Sequence, residues 1–321
     1  MRDAFLDKIT QLAEKDKDVV LLTADLGFGV FENFESRFPG QYFNVGVAEQ
    51  NMTGLAAGLA LEGKKVITYS IGNFPTLRCL EQIRNDACYH DLNITIVASG
   101  GGFSYGQLGM SHHTTEDIAI MRALPNITVV APSNPWEAGK AIEALIKNKG
   151  VGYLRLDKTN GSQDNANDNY ELGRALKISS EDNDNDNDND NDNDKDVSFF
   201  VCGGIIQEVI EAVELLKESK ISASIISMHT IKPIDKKSIR DAVKNTKLLV
   251  SVEEGNIIGG LGSAISEYCM DYQQIPSDFL RIGLDDKYSS VVGDQAYLRK
   301  QYKMDSQYIA KIVQERILKK L

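Results

Sequence analysis

The sequence predicts an α/β protein with two doubly wound domains, each built on a mainly parallel sheet. Two observations carry this prediction. Short continuous apolar runs of strand length alternate with longer segments in which apolar residues recur at helical spacing. A run of alternating Asp and Asn over residues 182–194 interrupts this alternation, which then resumes. Strands that alternate with helices form parallel sheets covered by helices, and 321 residues suffice for two such units.

The first unit begins with a helix over residues 4–15, because its apolar residues share one helical face. The continuous apolar run Val19–Thr23 then predicts a strand that is buried on both faces. Ser133 or Asn134 is expected to cap the last helix of this unit. The other predicted elements are strands 42–45, 65–69, 93–98, 127–131 and 152–156 and helices 50–61, 76–89, 116–124 and 135–147.

A second alternation of strand and helix patterns follows the Asp/Asn run. Its predicted elements are strands 197–201, 223–227, 247–252 and 279–282, helices 205–219, 235–244 and 263–271, and a terminal helix from Ser306. This unit is expected to form a second, smaller α/β domain.

Between the two units the sequence has linker composition. The Asp/Asn run cannot bury apolar surface and repels itself, so it is expected to be disordered; calcium binding is the alternative, although the glycine and terminal glutamate of an EF-hand loop are missing. The run separates strand-like segments 175–178 and 197–201, which predicts a hairpin with an expanded loop. The expected domains are residues 1–158, a linker and hairpin over 159–196 with the Asp/Asn insert at 181–196, and residues 197–321.

Composition and charge exclude several classes of protein. Hydrophobic residues make up 42% of the chain, yet no run approaches the about 18 apolar residues that a membrane span requires. Seven acidic residues lie in the Asp/Asn run, so the rest of the chain carries −4 rather than −11 and presents no basic face for nucleic acid. The segment Met1–Lys8 has helical spacing and acidic side chains, which is not a signal-peptide pattern. The four widely separated cysteines favour buried free thiols over disulfides or zinc ligands, so the chain is expected in the cytoplasm.

Polar residues follow the predicted strands at residues 24–29, at residues 99–113 and around Glu49. Ligands of open α/β sheets bind at the carboxyl ends of strands, so these loops are candidate binding sites. His112 and His113 are candidate donors to an oxygen-rich substrate, but adjacent histidines point in different directions and make no metal site by themselves. Taken alone, these residues predict an α/β enzyme of unspecified chemistry.

Two glycine-containing segments could be mistaken for phosphate loops. Residues Gly58–Lys64 have the spacing of such a loop, but the predicted order of helix, turn and strand is the reverse of what a phosphate loop needs. Gly259–Gly262 opens a predicted helix, and a tight turn is the expected role of its glycines.

Several segments together resemble the transketolase family, which includes deoxyxylulose-phosphate synthase and the beta subunits of 2-oxo-acid dehydrogenases. The resemblance covers nearly the whole chain apart from the Asp/Asn insert. It implies that residues 1–158 form a pyrimidine-binding domain, that residues 197–321 form the C-terminal domain of the family, and that thiamine diphosphate is the cofactor. The segments that carry it are Thr23–Leu26, Asn44–Met52, Gly109–His113, Met121–Asn126, Val129–Ser133, Ser251–Gly255 and Gly259–Gly262.

The resemblance assigns cofactor contacts to four residues. Glu49 lies at the mouth of a Gly/Ala-rich helix, and its carboxyl group is expected to hydrogen-bond the aminopyrimidine ring and so promote loss of the thiazolium C2 proton. Phe74 matches the aromatic residue that stacks on this ring, with a core aromatic as the alternative. Asp25 matches an acidic residue near the cofactor, with a turn residue as the alternative. Leu77 stands where the family has a second aromatic residue beside the cofactor.

The resemblance also assigns substrate contacts. His112 matches a histidine at the hydroxyl and carbonyl groups of the donor sugar. Arg2 and Arg155 match arginines that grip the sugar phosphate, and a surface ion pair is the alternative for each. Three positions depart from the family pattern and leave the acceptor sugar and its phosphate open. They are Gly29 in place of a phosphate-binding serine, Gly100 in place of a histidine, and Leu108 in place of an aspartate that reads a hydroxyl group.

The family holds the cofactor diphosphate and Mg²⁺ with a Gly-Asp-Gly…Asn motif, which does not occur in this sequence. The chain is therefore expected to hold no metal itself and to need a separate N-terminal, diphosphate-binding subunit, in a heterotetramer. The expected reaction transfers a two-carbon ketol unit from a ketose to an aldose, or between their phosphates. The alternatives are a decarboxylating relative, such as a 2-oxo-acid dehydrogenase beta subunit or a deoxyxylulose-phosphate synthase, and a non-catalytic regulatory subunit.

Overall fold

The computed structural model describes residues 1–159, 169–178 and 195–319. The run of Asp and Asn over residues 182–194, for which disorder or calcium binding is predicted, lies outside the described residues. Within them the chain forms a seven-stranded sheet and a five-stranded sheet, both covered by helices. The predicted α/β class with two mainly parallel sheets is confirmed.

Most helices begin and end within two residues of their predicted bounds, and Pro135–Lys147 matches its prediction at both ends. Two short helices, α2 and α10, were not predicted. The helices are α1 (Arg2–Lys15), α2 (Glu32–Arg37), α3 (Glu49–Leu61), α4 (Leu80–Gln82), α5 (Asp117–Ala123), α6 (Pro135–Lys147), α7 (Ile206–Glu218), α8 (Lys236–Asn245), α9 (Leu261–Asp271), α10 (Gln295–Gln301) and α11 (Ser306–Leu318).

The strands follow the continuous apolar runs of the sequence. Every residue of β1, β4 and β6 is buried, as expected for parallel strands covered on both faces. The strands are β1 (Val19–Thr23), β2 (Tyr42–Asn44), β3 (Lys65–Ile71), β4 (Ile94–Ser99), β5 (Ile127–Val130), β6 (Val151–Leu156), β7 (Leu176–Ile178), β8 (Lys195–Cys202), β9 (Ala223–Ser227), β10 (Thr230–Lys232), β11 (Thr246–Asn256) and β12 (Phe279–Leu284).

The larger sheet has the strand order β10-β5-β6-β4-β3-β1-β2. Six of its strands come from the first half of the chain and run parallel, and β10 joins antiparallel to β5 from the second half. The carboxyl ends of β1, β2, β3, β4 and β6 therefore meet at one edge of the sheet. All three loops with candidate residues lie along this edge.

The smaller sheet has the order β12-β11-β8-β9-β7, and this order corrects the predicted hairpin. β8 pairs in parallel with β11 on one side and with β9 on the other, so neither of its edges is open to β7. β7 instead pairs antiparallel with β9 at the end of the sheet. The prediction paired β7 with β8 because these strands are neighbours in the sequence. In the structure both edges of β8 are already occupied, and β7 pairs with the free edge of β9.

The helix predicted over residues 76–89 begins later than expected. Helical hydrogen bonds begin at Leu80 and continue as the π-helix Ile83–Cys88. The hydroxyl group of Thr76 donates to the carbonyl oxygen of Gly72 over 2.8 Å, which ties the preceding residues into a turn. Phe74, which precedes the predicted helix, lies in this turn after β3.

No helix within residues 1–159, 169–178 and 195–319 is long and apolar enough to cross a membrane. All four cysteines are free and buried, as predicted. Burial raises the pKa of the Cys79 and Cys88 thiols to about 11, so both stay protonated at neutral pH.

Candidate active site

Glu49 is the first residue of α3, and its side chain is only 3% exposed. A carboxylate at this position interacts favourably with the amino end of the helix dipole. Gly54 and Gly58 lie on the exposed face of the same helix, where an added Cβ would meet no atom within 4 Å. Within the described residues, therefore, no other element packs closely against Gly54 and Gly58.

Arg78 joins Glu49 to Phe74. Its Nη1 donates to Glu49 Oε2 over 2.7 Å, and its Cζ lies 4.6 Å from the centroid of the Phe74 ring, within cation–π range. The ring of His112 meets the same aromatic ring edge-on, with the centroids 5.3 Å apart and an interplanar angle of 73°. Arg78, which was not predicted, thus joins Glu49 to Phe74, and Phe74 in turn contacts His112.

The loop that carries His112 is held against this cluster by Asn73. The Nδ2 atom of Asn73 donates to the carbonyl oxygen of His113 over 2.7 Å and to that of Ser111 over 3.3 Å. Ser111 Oγ also lies 3.0 Å from Nδ1 of His112 and fixes the orientation of that ring. The residue before Phe74 therefore positions the histidine that contacts Phe74.

His113, for which a substrate contact is predicted, lies inside the protein. Its side chain is buried, and both ring nitrogens have partners within the chain. Nδ1 lies 2.5 Å from Ser289 Oγ, and Nε2 lies 3.0 Å from the carbonyl oxygen of Gly106. This pairing connects the glycine-rich loop to the second half of the chain, and it engages both ring nitrogens of His113.

Asp25 lies where β1 ends, in a left-handed conformation with a φ of 54°. Asn44, at the end of neighbouring β2, accepts the backbone N–H of Asp25 over 2.9 Å and that of Gly46 over 3.0 Å. Its Nδ2 donates to Asp25 Oδ1 over 3.1 Å. Asn44 therefore fixes the loop that leads to Glu49, and Asp25 holds the side chain of Asn44 in place. Leu77 lies in the turn after Phe74 with its side chain exposed.

Arg155, for which a sugar-phosphate contact is predicted, is enclosed within the protein. Its Nε donates to Asp157 over 3.0 Å, its Nη1 lies 3.4 Å from Asp117 Oδ1, and its Nη2 donates to the carbonyl oxygen of Glu254 over 2.7 Å. Burial opposes the charge, but Asp157 and Asp117 hold the pKa of Arg155 well above its usual range. All three nitrogens are engaged within the chain, where Arg155 neutralises two buried carboxylates, and the phosphate contact predicted for it stays a prediction.

Arg2 lies at a cavity of about 470 Å³ beside the carboxyl ends of β4 and β6. Its side chain pairs with Asp3 over 3.2 Å and remains 54% exposed. A second cation, Lys158, lines the same cavity, and its Nζ lies 4.5 Å from the centroid of the Tyr105 ring. The position of Arg2 is compatible with the substrate contact predicted for it.

Tyr105 explains one departure from the family pattern. Gly100 has a φ of 86°, and a Cβ built on it would lie 2.1 Å from the Tyr105 ring. A histidine at this position would therefore collide with that ring, so the aromatic side chain takes the space. At the other departures, Leu108 is exposed, and the backbone N–H of Gly29 donates to Glu32 over 2.6 Å.

The second glycine-rich segment already holds an internal anion. The carboxylate of Glu253 accepts the backbone N–H groups of Leu261 and Gly262 over 2.8 and 2.9 Å, at the amino end of α9. Burial raises the pKa of Glu253, while these two hydrogen bonds oppose that rise. Among the residues that the structure describes, no group of three or more His, Cys, Asp or Glu side chains could hold a metal ion.

The sequence reasoning missed Arg78 and Asn73, which flank the predicted aromatic residue. The predicted helix over residues 76–89 begins after Phe74, so helical spacing gave no signal that Arg78 would meet that ring. The segment is a turn, so the contact arises from the turn geometry described above and not from helical spacing.

Comparison with known proteins agrees with this geometry. The family profile of the transketolase pyrimidine-binding domain matches residues 1–163, and that of the transketolase C-terminal domain matches residues 189–309. A putative transketolase C-terminal section of Methanocaldococcus jannaschii is 36% identical over 99% of this chain and 96% of its own length. One of the subunits of an apulose-4-phosphate transketolase from Phocaeicola vulgatus is 31% identical over 99% of this chain and 97% of its own length. A solved structure described as a split-gene transketolase in an inactive beta4 tetramer superimposes with a TM-score of 0.84, at 28% identity over 99% of this chain and 97% of that chain.

Proposed function

This chain belongs to the transketolase family, and we propose that it is the pyrimidine-binding subunit of a split, thiamine diphosphate-dependent transketolase. It would transfer a two-carbon ketol unit from a ketose to an aldose only together with a separate diphosphate-binding subunit. The similarity to proteins named as a section or subunit of transketolase, over 96% and 97% of their own length, supports the split. We further propose that the partner holds Mg²⁺, that the assembly is a heterotetramer, and that it acts in the cytoplasm, where free thiols persist.

The observation that carries this proposal is a buried carboxylate beside an aromatic face, with one flat group contacting both. The guanidinium group of Arg78 donates to Glu49 and lies over Phe74 at the same time. A planar ring with a nitrogen at its edge can make the same two contacts, and the aminopyrimidine ring of thiamine diphosphate has this shape. Glu49 and Phe74 therefore fit the cofactor that the family implies.

When bound, the cofactor supplies the nucleophilic carbon for breaking and re-forming the carbon–carbon bond of ketol transfer. Glu49 shares a proton with the edge of the pyrimidine ring from a position shielded from water. Phe74 orients the ring by stacking, and Asp25 holds Asn44, which fixes the loop that leads to Glu49. Ser111 holds Nδ1 of His112, so we assign its Nε2 to the donor sugar.

We place the acceptor sugar in the cavity beside Arg2 and Lys158. Arg2 and Lys158 suit an anionic sugar end, such as a phosphate group, which would compete with Asp3 for Arg2; Asp157 also lines the cavity but pairs with Arg155. The Phocaeicola vulgatus relative acts, by its name, on a sugar phosphate. The Tyr105 ring fills the space beside Gly100, so the acceptor would meet an aromatic and hydroxyl surface there.

Reconstitution tests the split. The isolated chain is expected to show no ketol transfer, and addition of the diphosphate-binding subunit with thiamine diphosphate and Mg²⁺ is expected to restore it. Full activity of the isolated chain would contradict the need for a partner. Release of carbon dioxide from pyruvate, without transfer from xylulose 5-phosphate, would favour the decarboxylating relatives. An assembled complex that binds no thiamine diphosphate would identify the chain as a non-catalytic subunit.

Glu49→Gln tests the assigned carboxyl group. The variant keeps the size of the side chain but cannot exchange a proton, so turnover of the assembled enzyme is expected to fall about 100-fold or more. Gln50→Ala, at the exposed position next to it, is the matched control and should retain turnover. Circular dichroism of both variants should match that of the wild type. Turnover of Glu49→Gln close to that of the control would disprove the assigned role.

A further inference from the structure

We propose that the guanidinium group of Arg78 is an internal occupant of the pyrimidine site, and that the cofactor must displace it to bind. The inference rests on the proposed function, because it takes Glu49 and Phe74 as the cofactor contacts. It assigns to Arg78 a role that none of the contacts expected of the family includes. The Glu49–Phe74 site would then select one class of ligand: a flat, delocalised group with N–H donors at its edge.

The first support is that Arg78 makes both contacts expected of the ring. Its Nη1 lies 2.7 Å from Glu49 Oε2, and its Cζ lies 4.6 Å from the centroid of Phe74. Guanidinium and aminopyrimidinium groups are both planar, and both carry an N–C–N unit with donors in the plane. A carboxylate at the edge and an aromatic face below therefore bind either group by the same geometry.

The second support is the unequal burial of the two partners. Glu49 is 3% exposed, whereas the Arg78 side chain is 46% exposed. Glu49 cannot leave the site without breaking the start of α3, but Arg78 can turn into water, where its charge is solvated. The pair can therefore open in only one direction, and opening it leaves the carboxylate in place for a new donor.

The third support is the need to compensate a buried charge. An unpaired carboxylate in this position costs free energy, because it lacks both water and a cation. Arg78 supplies that cation while the subunit holds no cofactor, and His112 packs against the ring of Phe74. The site must first release Arg78, so only chains with an open site can bind the cofactor. The apparent dissociation constant is therefore the intrinsic constant divided by the fraction of chains in which the site is open.

The first experiment uses the full-length chain alone. Arg78→Ala is expected to lower its melting temperature by about 2–4 °C, and methylguanidinium chloride is expected to reverse this loss, with sodium chloride as the ionic control. Arg84→Ala is the matched control, since Arg84 is an exposed arginine of the following π-helix that bonds Asn85 and not Glu49. The wild type and this control should not respond to methylguanidinium. A loss that methylguanidinium does not reverse, or no loss at all, would contradict the occupancy of the site by Arg78.

The second experiment measures the dissociation constant of thiamine diphosphate in the complex with the diphosphate-binding subunit. Arg78→Ala is expected to bind the cofactor about tenfold more tightly than the wild type, because no occupant has to leave. Arg78→Lys should fall between them, since an ammonium group can pair with Glu49 but cannot present a planar face to Phe74. Equal or weaker binding by Arg78→Ala would overturn the displacement. If neither form binds the cofactor, the proposed function fails, and the melting experiment still decides whether Arg78 occupies the site.

Discussion

Arg155, Arg78 and Arg2 carry the same guanidinium group, but their side chains are 2%, 46% and 54% exposed. The buried group of Arg155 neutralises Asp117 and Asp157 and cannot leave them. Arg78 pairs with a buried carboxylate but can retreat into water, and Arg2 faces a cavity. The degree of burial therefore distinguishes Arg155, whose guanidinium group is held in place, from Arg78 and Arg2, whose guanidinium groups can move.

Replacing Arg155 should affect stability. Arg155→Met is expected to lower the free energy of unfolding by about 3–5 kcal/mol, because Asp117 and Asp157 would stay buried without their cation. Urea denaturation measures the change. Arg2→Met is the matched control and should change stability by no more than about 0.5 kcal/mol. An Arg155→Met chain of wild-type stability with weakened substrate binding would favour the substrate role predicted from the sequence.

Glu137, in the first turn of α6, gives the chain a pH-dependent stability. It is fully buried, and its Oε2 accepts the backbone N–H of Ser133 over 2.7 Å. Burial raises its pKa from 4.5 to about 7, although the hydrogen bond from Ser133 opposes the rise. Between these pH values the unfolded chain has lost the proton that the folded chain keeps. The folded state therefore binds more protons, and its stability must fall as the pH rises.

Glu137→Gln is expected to remove this dependence, which amounts to about 3 kcal/mol of unfolding free energy between pH 4.5 and 7. Urea denaturation at a series of pH values measures it. Glu143 on the same helix is the control, because hydrogen bonds from Lys147 and Lys8 lower its pKa to about 2. Glu143→Gln should lower stability by a constant amount above pH 4.5, because both hydrogen bonds are lost. It should change the slope of the profile only below pH 4.5, where the wild type loses stability as the pH falls. Equal slopes for the wild type and Glu137→Gln between pH 4.5 and 7 would refute the assignment.

The sequence predicted the members of the site better than their partners. Glu49, Phe74 and His112 come together because each follows a strand at the same edge of one sheet. The burial of Arg155 and His113 could not be predicted, because Glu254 and Ser289, which pair with them, lie far along the chain. Their environment is set by how the second half packs on the first.

The turns and helix ends carry specific hydrogen bonds that composition predicts only in part. Asn134 caps α6 by accepting the N–H of Glu137 over 2.9 Å, which settles the predicted choice between two capping residues. Asp235 caps α8 and also bonds the residue before β7. Its Oδ1 accepts the N–H groups of Lys237 and Ser238, and its Oδ2 accepts the N–H of Ala175 over 2.9 Å. One carboxylate thus holds both the start of α8 and the residue before β7.

Asp235→Ala should therefore cost more than loss of an ordinary cap. We expect it to lower the free energy of unfolding by about 2 kcal/mol, against about 1 kcal/mol for Asn134→Ala. Chemical denaturation of both variants gives the comparison. Hydrogen exchange at Leu176–Ile178 should increase only in Asp235→Ala, since only that variant releases β7. Equal costs and unchanged exchange would show that the bond to Ala175 adds nothing.

Elements with a continuous apolar run or a helical stripe were predictable, and short ones were not. Val19–Thr23 and Ala223–Ser227 match their predicted bounds, because each strand pairs with a neighbouring strand along both of its edges. β10 has three residues, too few for any periodicity, and it forms only because the β5 edge lies open to it. The missed helices α2 and α10 are likewise short and depend on tertiary packing.

Across the whole chain, the two halves that the sequence distinguishes are joined by more than a linker. β10 comes from the second half but completes the larger sheet of the first. Glu254 accepts the backbone N–H of Phe103 over 2.6 Å and also bonds Arg299, so it ties the glycine-rich loop to α10. The expected boundaries near residues 158 and 197 follow from the sequence patterns. Strand pairing and side-chain contacts join the two halves across these boundaries.

Because β10 pairs with β5, the two halves of this chain are difficult to exchange between related proteins. A gene fusion that exchanges the second half of this chain for that of a relative would also exchange the outermost strand of the sheet that carries Glu49. The foreign strand would have to match β5 in register and side-chain volume, or it would leave an open sheet edge prone to aggregation. A junction after residue 232 would keep the larger sheet within one parent, but it would divide the smaller sheet, because β8 pairs with β11 across that junction. Neither junction therefore separates two independent halves.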